Sequence, residues 1–196
     1  MKLIKKLEIE ELKTVYKKYI RNDFPRSERR PFSSMEKLTR EERYASYGYF
    51  DGDRLTAYAC YILTGDSQFA LLDYFAVIPE LRDCGIGSSF LKALREHVPV
   101  GVGAFAEAES PADAKSDTEK TLRERRIRFY VTNGAVLTDM KCLLFGVNYD
   151  ILFLAAGDLK PAPEQLQNGL ENLYREIYRP VYGKLCKPYR QTEERR

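Results

Sequence analysis

Between residues 69 and 90 the chain reads FALLDYFAVIPELRDCGIGSSF, and no other stretch limits the fold so narrowly. Phe69 to Ile78 is an almost unbroken apolar run of the length of a buried strand. Pro79 ends it, and Phe90, Leu91 and Leu94 then recur at helical spacing. A strand that turns into a helix through Arg82-x-x-Gly85-x-Gly87 leaves the first amides of that helix without intrahelical acceptors. The positive end of the helix dipole, and glycines that let a ligand approach the backbone, make such a turn an anion site, with pyrophosphate as its natural guest. Ser88 and Ser89 add hydroxyl donors and Arg82 a positive charge.

Three phosphate-binding patterns compete for this loop. A Walker A loop needs Lys and then Ser or Thr after its last glycine, and here Ser88 follows Gly87 directly. A dinucleotide fingerprint wants a third Gly or Ala where Phe90 stands, and an acidic residue at the end of the next strand. The third pattern, Arg or Gln-x-x-Gly-x-Gly or Ala after a strand, fits.

The remaining chain predicts a mixed α/β layer architecture. Leu3, Leu7, Leu12, Val15, Tyr16 and Tyr19 suggest a helix over about 6 to 21, and Ser33 or Ser34 can cap a short helix carrying Met35 and Leu38. Runs at 44 to 50 and 55 to 63 flank Asp51-Gly52-Asp53-Arg54, a hairpin signal, and a second turn at 64 to 67 leads into the strand at 69 to 78. After the loop helix come a strand (99 to 108), a long charged helix (116 to 132) capped by Asn133-Gly134, and two strands (135 to 145, 149 to 155). Past Gly157 an amphipathic helix over 164 to 178 precedes an irregular basic end. This divides the chain into a domain over 1–156 and a C-terminal helical extension with a basic tail over 157–196.

Composition narrows the chemistry. With 44% hydrophobic and 31% charged residues the chain is globular, and its net charge of +3 disfavours a nucleic-acid binder. That total is a sum over unlike segments: +5 over residues 1–30, −6 over 31–178 and +4 over 179–196. The acidic middle suits a cationic amine. His97 is the one histidine, and Cys60, Cys84, Cys142 and Cys186 form no C-x-x-C pair, so no metal site is expected and a Ser-His-Asp or Cys-His triad would have to run through His97. That residue reads instead as a helix C-terminal group meeting exposed carbonyls. Scattered thiols, no signal peptide and no apolar stretch of about 20 residues point to a cytoplasmic protein, with neither membrane nor nucleic acid as partner.

The loop, the order of elements from residue 1 to about 155, and Arg125-Arg-Ile-Arg-Phe-Tyr-Val-Thr-Asn-Gly134 together resemble the GNAT (Gcn5-related N-acetyltransferase) superfamily. The last of these is similar to the R-x-x-F-Y-x-x-x-G run of the family's fourth helix, and the region past Gly157 is not covered. The resemblance implies a mostly antiparallel sheet, splayed between its fourth and fifth strands and flanked by helices. It implies acetyl-CoA as cosubstrate, with its pantetheine arm on the main chain of Phe75 and Val77, its pyrophosphate on Gly85, Gly87, Ser88 and Ser89, and Arg82 alongside. Cys84 lies within that loop, where a thiol reagent would obstruct the coenzyme.

Acyl transfer from a thioester to an amine needs a base for the amine proton, a donor for the oxyanion and an acid for the leaving thiolate. The resemblance gives the acid role to Tyr130, whose phenol is protonated at neutral pH. For the base the residues offer Glu107 and Glu109, two apart on one strand and so on one sheet face, and then Asp73, whose charge in an apolar strand needs a partner. The run Arg123 to Arg128 reads as a solvated helix face with ion pairs. The acceptor surfaces implied are the first two helices, their loop from Phe24 to Phe32, and the last strand pair.

An acetyl-CoA-dependent N-acetyltransferase acting on a primary amine is the leading expectation. Its rivals are a CoA-holding regulatory module of the same fold, and an interaction protein whose C-terminal helix pairs with a second copy or another partner.

Overall fold

The computed structural model describes residues 2–66, 68–97, 101–179 and 181–190. It divides into two compact units, one of Met1–Gly65 with Leu72–Val98 and one of Asp66–Leu71 with Pro99–Arg196. Both are mixed α/β, with mostly antiparallel strands.

In the first unit β1 (Lys2–Lys6) pairs antiparallel with β2 (Tyr44–Asp51), and β2 with β3 (Arg54–Leu63), whose other neighbour is β4 (Phe69–Val77). Gly52, at φ 58°, supplies the turn between β2 and β3 that its Asp-Gly sequence predicts. A first strand that the sequence did not predict reaches Lys6, where the predicted helix was to begin. Its lysines show no apolar alternation because β1 is an edge strand, where charge blocks further pairing. Helix α1 (Ile9–Val15) therefore begins later, with the Glu8 N–H donating to Glu11 Oε2 at 3.0 Å. It continues through a π turn, Tyr16–Ile20, into a single α turn, α2 (Arg21–Asp23). Leu12, Val15 and Ile20 form its buried stripe. Helix α3 (Phe32–Arg40) starts from Pro31 and not from a serine cap: the Pro31 carbonyl accepts from the amides of Ser34 and Met35, at 2.9 and 3.2 Å. Helix α4 (Ile86–His97) buries Phe90, Leu91 and Leu94 as predicted, and the Phe90 ring stacks on both Tyr49 and Phe75, at 5.1 and 5.6 Å. His97 Nδ1 lies 2.8 Å from the Ala93 carbonyl, the helix-end role expected of it.

The second unit opens with the first residues of β4. It continues through β5 (Gly103–Glu109), parallel to β4, then β7 (Val147–Ala155), β6 (Val136–Leu144) and β8 (Cys186–Arg190). Phe145 and Gly146, at φ 49° and 86°, make the two-residue turn joining β6 to β7. Strand β8 corrects the expectation of an irregular end: Cys186–Arg190 pairs with Met140–Leu144, placing Pro188 on the outermost strand of the sheet, where its missing N–H is tolerated. Helix α5 (Asp117–Thr132) is capped by Ser116, whose Oγ accepts from the Glu119 amide at 3.2 Å, and it ends at Asn133 and Gly134, the latter at φ 91°. Helix α6 (Pro163–Ile177) buries Gly169, Leu170, Leu173 and Tyr174. A Cβ on Gly169 would lie 2.5 Å from the Phe69 ring, so only glycine allows this approach. The Phe69 ring also packs with Phe105 and Phe153, at 5.5 and 6.3 Å.

Candidate functional site

The end of β4 shapes the loop that follows it. The Ile78 N–H donates to the Thr56 carbonyl at 2.9 Å, and Pro79–Leu81 forms one 3-10 turn. Arg82 then folds back, its Nε donating to the Val77 carbonyl at 3.2 Å and its Nη2 meeting Asp23 Oδ1 at 3.0 Å. The other oxygen of Asp23 accepts from the Tyr58 hydroxyl at 2.8 Å, and burial together with that carboxylate pushes the Tyr58 phenol far above its ordinary value. Arg82 is thus a clamp between the loop and the end of the first helical run. Its side chain is still 49% exposed, which leaves room for a phosphate.

Asp83 and Gly85 take left-handed φ values of 61° and 72°. Aspartate tolerates this conformation better than most residues, and glycine carries no penalty there. The first bond of α4 runs from the Ser89 amide to the Gly85 carbonyl at 3.1 Å, so the amides of Ile86, Gly87 and Ser88 precede the helical ladder. The Ser89 amide lies inside the ladder, and its hydroxyl is the group left to offer. Arg82, Gly85, Ser88 and Ser89 are exposed, while Phe75, Val77 and Gly87 are half-buried. All seven residues expected at a coenzyme lie in the first unit, on β4, the loop and the first turn of α4.

Asp73, on the same strand, has the partner its burial requires. It accepts from Arg30 Nε and Nη2 at 3.1 and 3.3 Å, and from the Tyr44 hydroxyl at 2.7 Å. The neighbouring Tyr74 hydroxyl accepts from the Arg30 amide at 2.7 Å and donates to the Glu28 carbonyl at 3.0 Å. Both groups therefore fasten the loop before α3 onto β4. A carboxylate held in this way anchors structure, and its partner, 43 residues away, had no local signal in the sequence.

Tyr130, Glu107 and Glu109 lie in the second unit. Tyr130, near the end of α5, is 8% exposed, and burial pushes its phenol up to about 12, with the Arg126 guanidinium pulling the other way. Its hydroxyl is therefore protonated at neutral pH. Glu107 and Glu109 share β5, and each is taken up by another element. Glu107 Oε1 accepts a hydrogen bond from the hydroxyl of Tyr174 on α6, a tyrosine buried completely. Glu109 pairs with Arg123 Nη2 at 3.1 Å, and Arg123 also reaches the Ser110 carbonyl at 2.7 Å and Glu119 at 2.6 Å. Arg123 departs from the expected solvated face, since only 11% of its side chain is exposed, whereas Arg125, Arg126 and Arg128 are exposed as predicted. Tyr174 lies in the region that no recognised motif covered.

A profile of the acetyltransferase (GNAT) family matches residues 9–131, well over half of the chain. Among solved structures, a Bacteroides thetaiotaomicron protein assigned to the GNAT family aligns with a TM-score of 0.68 at 21% identity, over 90% of this chain and 98% of its own. The ribosomal-protein-S18-alanine N-acetyltransferase of Escherichia coli aligns with a TM-score of 0.58 at 18% identity, over 82% of this chain and 100% of its own. An aminoglycoside 6'-N-acetyltransferase complexed with coenzyme A gives 0.57 at 14% identity, over 82% of this chain and 99% of its own. At these identities the likeness is one of fold. No curated protein matches the chain by sequence.

Proposed function

Because the chain belongs to the acetyltransferase (GNAT) family, we propose that it moves the acetyl group of acetyl-CoA to a primary amine by direct attack in a ternary complex. The observation that carries this reading is the start of α4. Three amides ahead of the helical ladder, two left-handed residues and an arginine stand where a strand ends, a donor set that suits a pyrophosphate. On this reading Gly85, Gly87, Ser88 and Ser89 hold the pyrophosphate beside Arg82, and the main chain of Phe75 and Val77 holds the pantetheine arm.

The amine nitrogen attacks the thioester carbonyl and forms the new C–N bond. The oxyanion is held by a main-chain N–H of β4, and the C–S bond then breaks. Tyr130 donates its proton to the departing thiolate, for which a buried neutral phenol is suited. The ammonium proton leaves through water to a carboxylate. Glu107 and Glu109, both half-buried, are the candidates, the first beside Tyr174 and the second beside Arg123. The domain over 1–156 carries this chemistry, and the extension over 157–196 supports it through Tyr174.

One observation favours a second reading, a CoA-holding module with little turnover: both β5 carboxylates already have partners. Calorimetry with acetyl-CoA, followed by thiol release over a panel of amines, separates the two. Binding with release supports the transferase, and binding without release on any amine supports the module. Absence of binding to acetyl-CoA and CoA sinks both. A third reading, docking through α6, loses its surface, because the apolar side of that helix is buried within the second unit.

A further inference from the structure

Four arginines stand at residues 21, 26, 29 and 30, and they are not equivalent. Arg30 is locked to Asp73. Arg21, Arg26 and Arg29 line, with Tyr16 and Pro31, a cavity of about 620 Å³ in the first unit. Among the described residues no carboxylate lines that cavity, and none forms an ion pair with these three guanidiniums. Arg29 donates through Nη1 to the Arg21 carbonyl at 3.1 Å, yet its Nε is buried with no hydrogen-bond partner. A buried guanidinium N–H without an acceptor is costly, and three unpaired guanidiniums around one cavity repel one another. Both costs are relieved by a single oxyanion, which a guanidinium binds through its planar fork of donors.

Residues interleaved with this lining are anchored to β4. Arg30 and the Glu28 carbonyl are tied to Asp73 and Tyr74 on β4, and the Phe24 ring packs edge-on against Tyr74 at 4.8 Å. The same anchoring residues are neighbours of the proposed coenzyme segment in the chain. Asp73 and Tyr74 immediately precede Phe75, and Asp23, two residues after Arg21, holds Arg82.

We propose that the cavity lined by Arg21, Arg26 and Arg29 binds the acid group, carboxylate or phosphate, of the acceptor, so that the substrate is an amine carrying a negative charge at its other end. The word acceptor rests on the acetyltransferase reading, whereas the oxyanion site does not. A polycation is the wrong guest for this cavity. The acidic middle of the chain and this basic cavity together suit a zwitterion.

Two measurements keep the ideas apart. In the first, thiol release from acetyl-CoA by the full chain is followed with O-phosphoethanolamine against ethanolamine and with β-alanine against its amide. The acid-bearing member of at least one pair should have a kcat/KM higher by about tenfold or more. The double substitution Arg21→Gln with Arg26→Gln, both at exposed positions, should erase that preference and leave the KM for acetyl-CoA unchanged. A preference for the uncharged member of both pairs, or one that survives the double substitution, overturns the proposal. Whichever pair responds identifies the acid as phosphate or carboxylate. In the second, the NMR signal of the Arg29 Nε–H is followed as inorganic phosphate or acetate is added in the presence of CoA. A saturable shift that Arg26→Gln weakens is expected, and a signal that neither anion moves overturns the site. Should no amine release thiol, the acetyltransferase reading fails while the Arg29 signal still decides the cavity.

Discussion

At the start of α4 the groups open to a ligand are main-chain amides, set by φ values of 61° and 72° at Asp83 and Gly85, while on β5 they are two carboxylates, each held by a side chain from another element. The amides owe their positions to backbone conformation alone. The carboxylates owe theirs to packing: Glu107 accepts from Tyr174 on the buried side of α6, and Glu109 pairs with Arg123, which is pinned to the Ser110 carbonyl. On the proposed reading the loop is thus a binding surface made before any partner arrives, and the β5 pair is a set of charges already committed to the fold.

The largest test of that contrast concerns Tyr130, whose proposed role lies in chemistry and not in binding. Tyr130→Phe should lower kcat by about 100-fold or more with acetyl-CoA affinity unchanged by calorimetry, and unchanged turnover removes the acid role. Next comes Asp73→Ala, which strands Arg30 at 18% side-chain exposure. Breaking a pair this buried should cost about 3 kcal/mol in urea unfolding, and a loss under about 1 kcal/mol would mean the loop before α3 is not anchored through it.

Tyr174→Phe removes the hydroxyl from Glu107 and should cost about 1 to 3 kcal/mol. If Glu107 is the base, the pH profile of kcat moves as well. A stability change with an unmoved profile shifts the base role to Glu109.

Alkaline titration reads the same packing more broadly. Burial raises the phenols of Tyr44, Tyr58, Tyr74, Tyr130 and Tyr174 above their ordinary value of 10.0. A raised folded-state value means that the stabilisation these groups give is whole below pH about 10 and is lost as pH climbs beyond it, for Tyr130 toward about 12. Tyrosinate absorbance should therefore rise in two stages, the second coincident with loss of structure, and one smooth rise of all 14 tyrosines near 10 would contradict the burial. The smallest effect is expected of Ser88→Ala, which should change acetyl-CoA affinity by no more than about threefold, because the loop offers its amides first. A larger loss would move the weight of binding from backbone to side chain.

The strand, the proline, the glycines and the helix were legible in sequence because each is a local preference: apolar run, missing N–H, left-handed φ, helical spacing. The Asp-Gly hairpin and the Asn133-Gly134 cap were legible for the same reason. The edge strands β1 and β8 were not, since edge strands carry charge and proline where inner strands carry apolar alternation. The need of Asp73 for a partner could be read, but not that Arg30 supplies it.

The sequence by itself determined the fold class and the anion-ready turn, because these depend on residue type and spacing along the chain. Only the tertiary structure decided that Arg82 clamps Asp23, that Tyr174 holds Glu107, and that three arginines line one cavity with no carboxylate among its described residues. Ion pairs and buried hydrogen bonds join residues tens of positions apart, and which charge finds which partner is settled by how the elements pack.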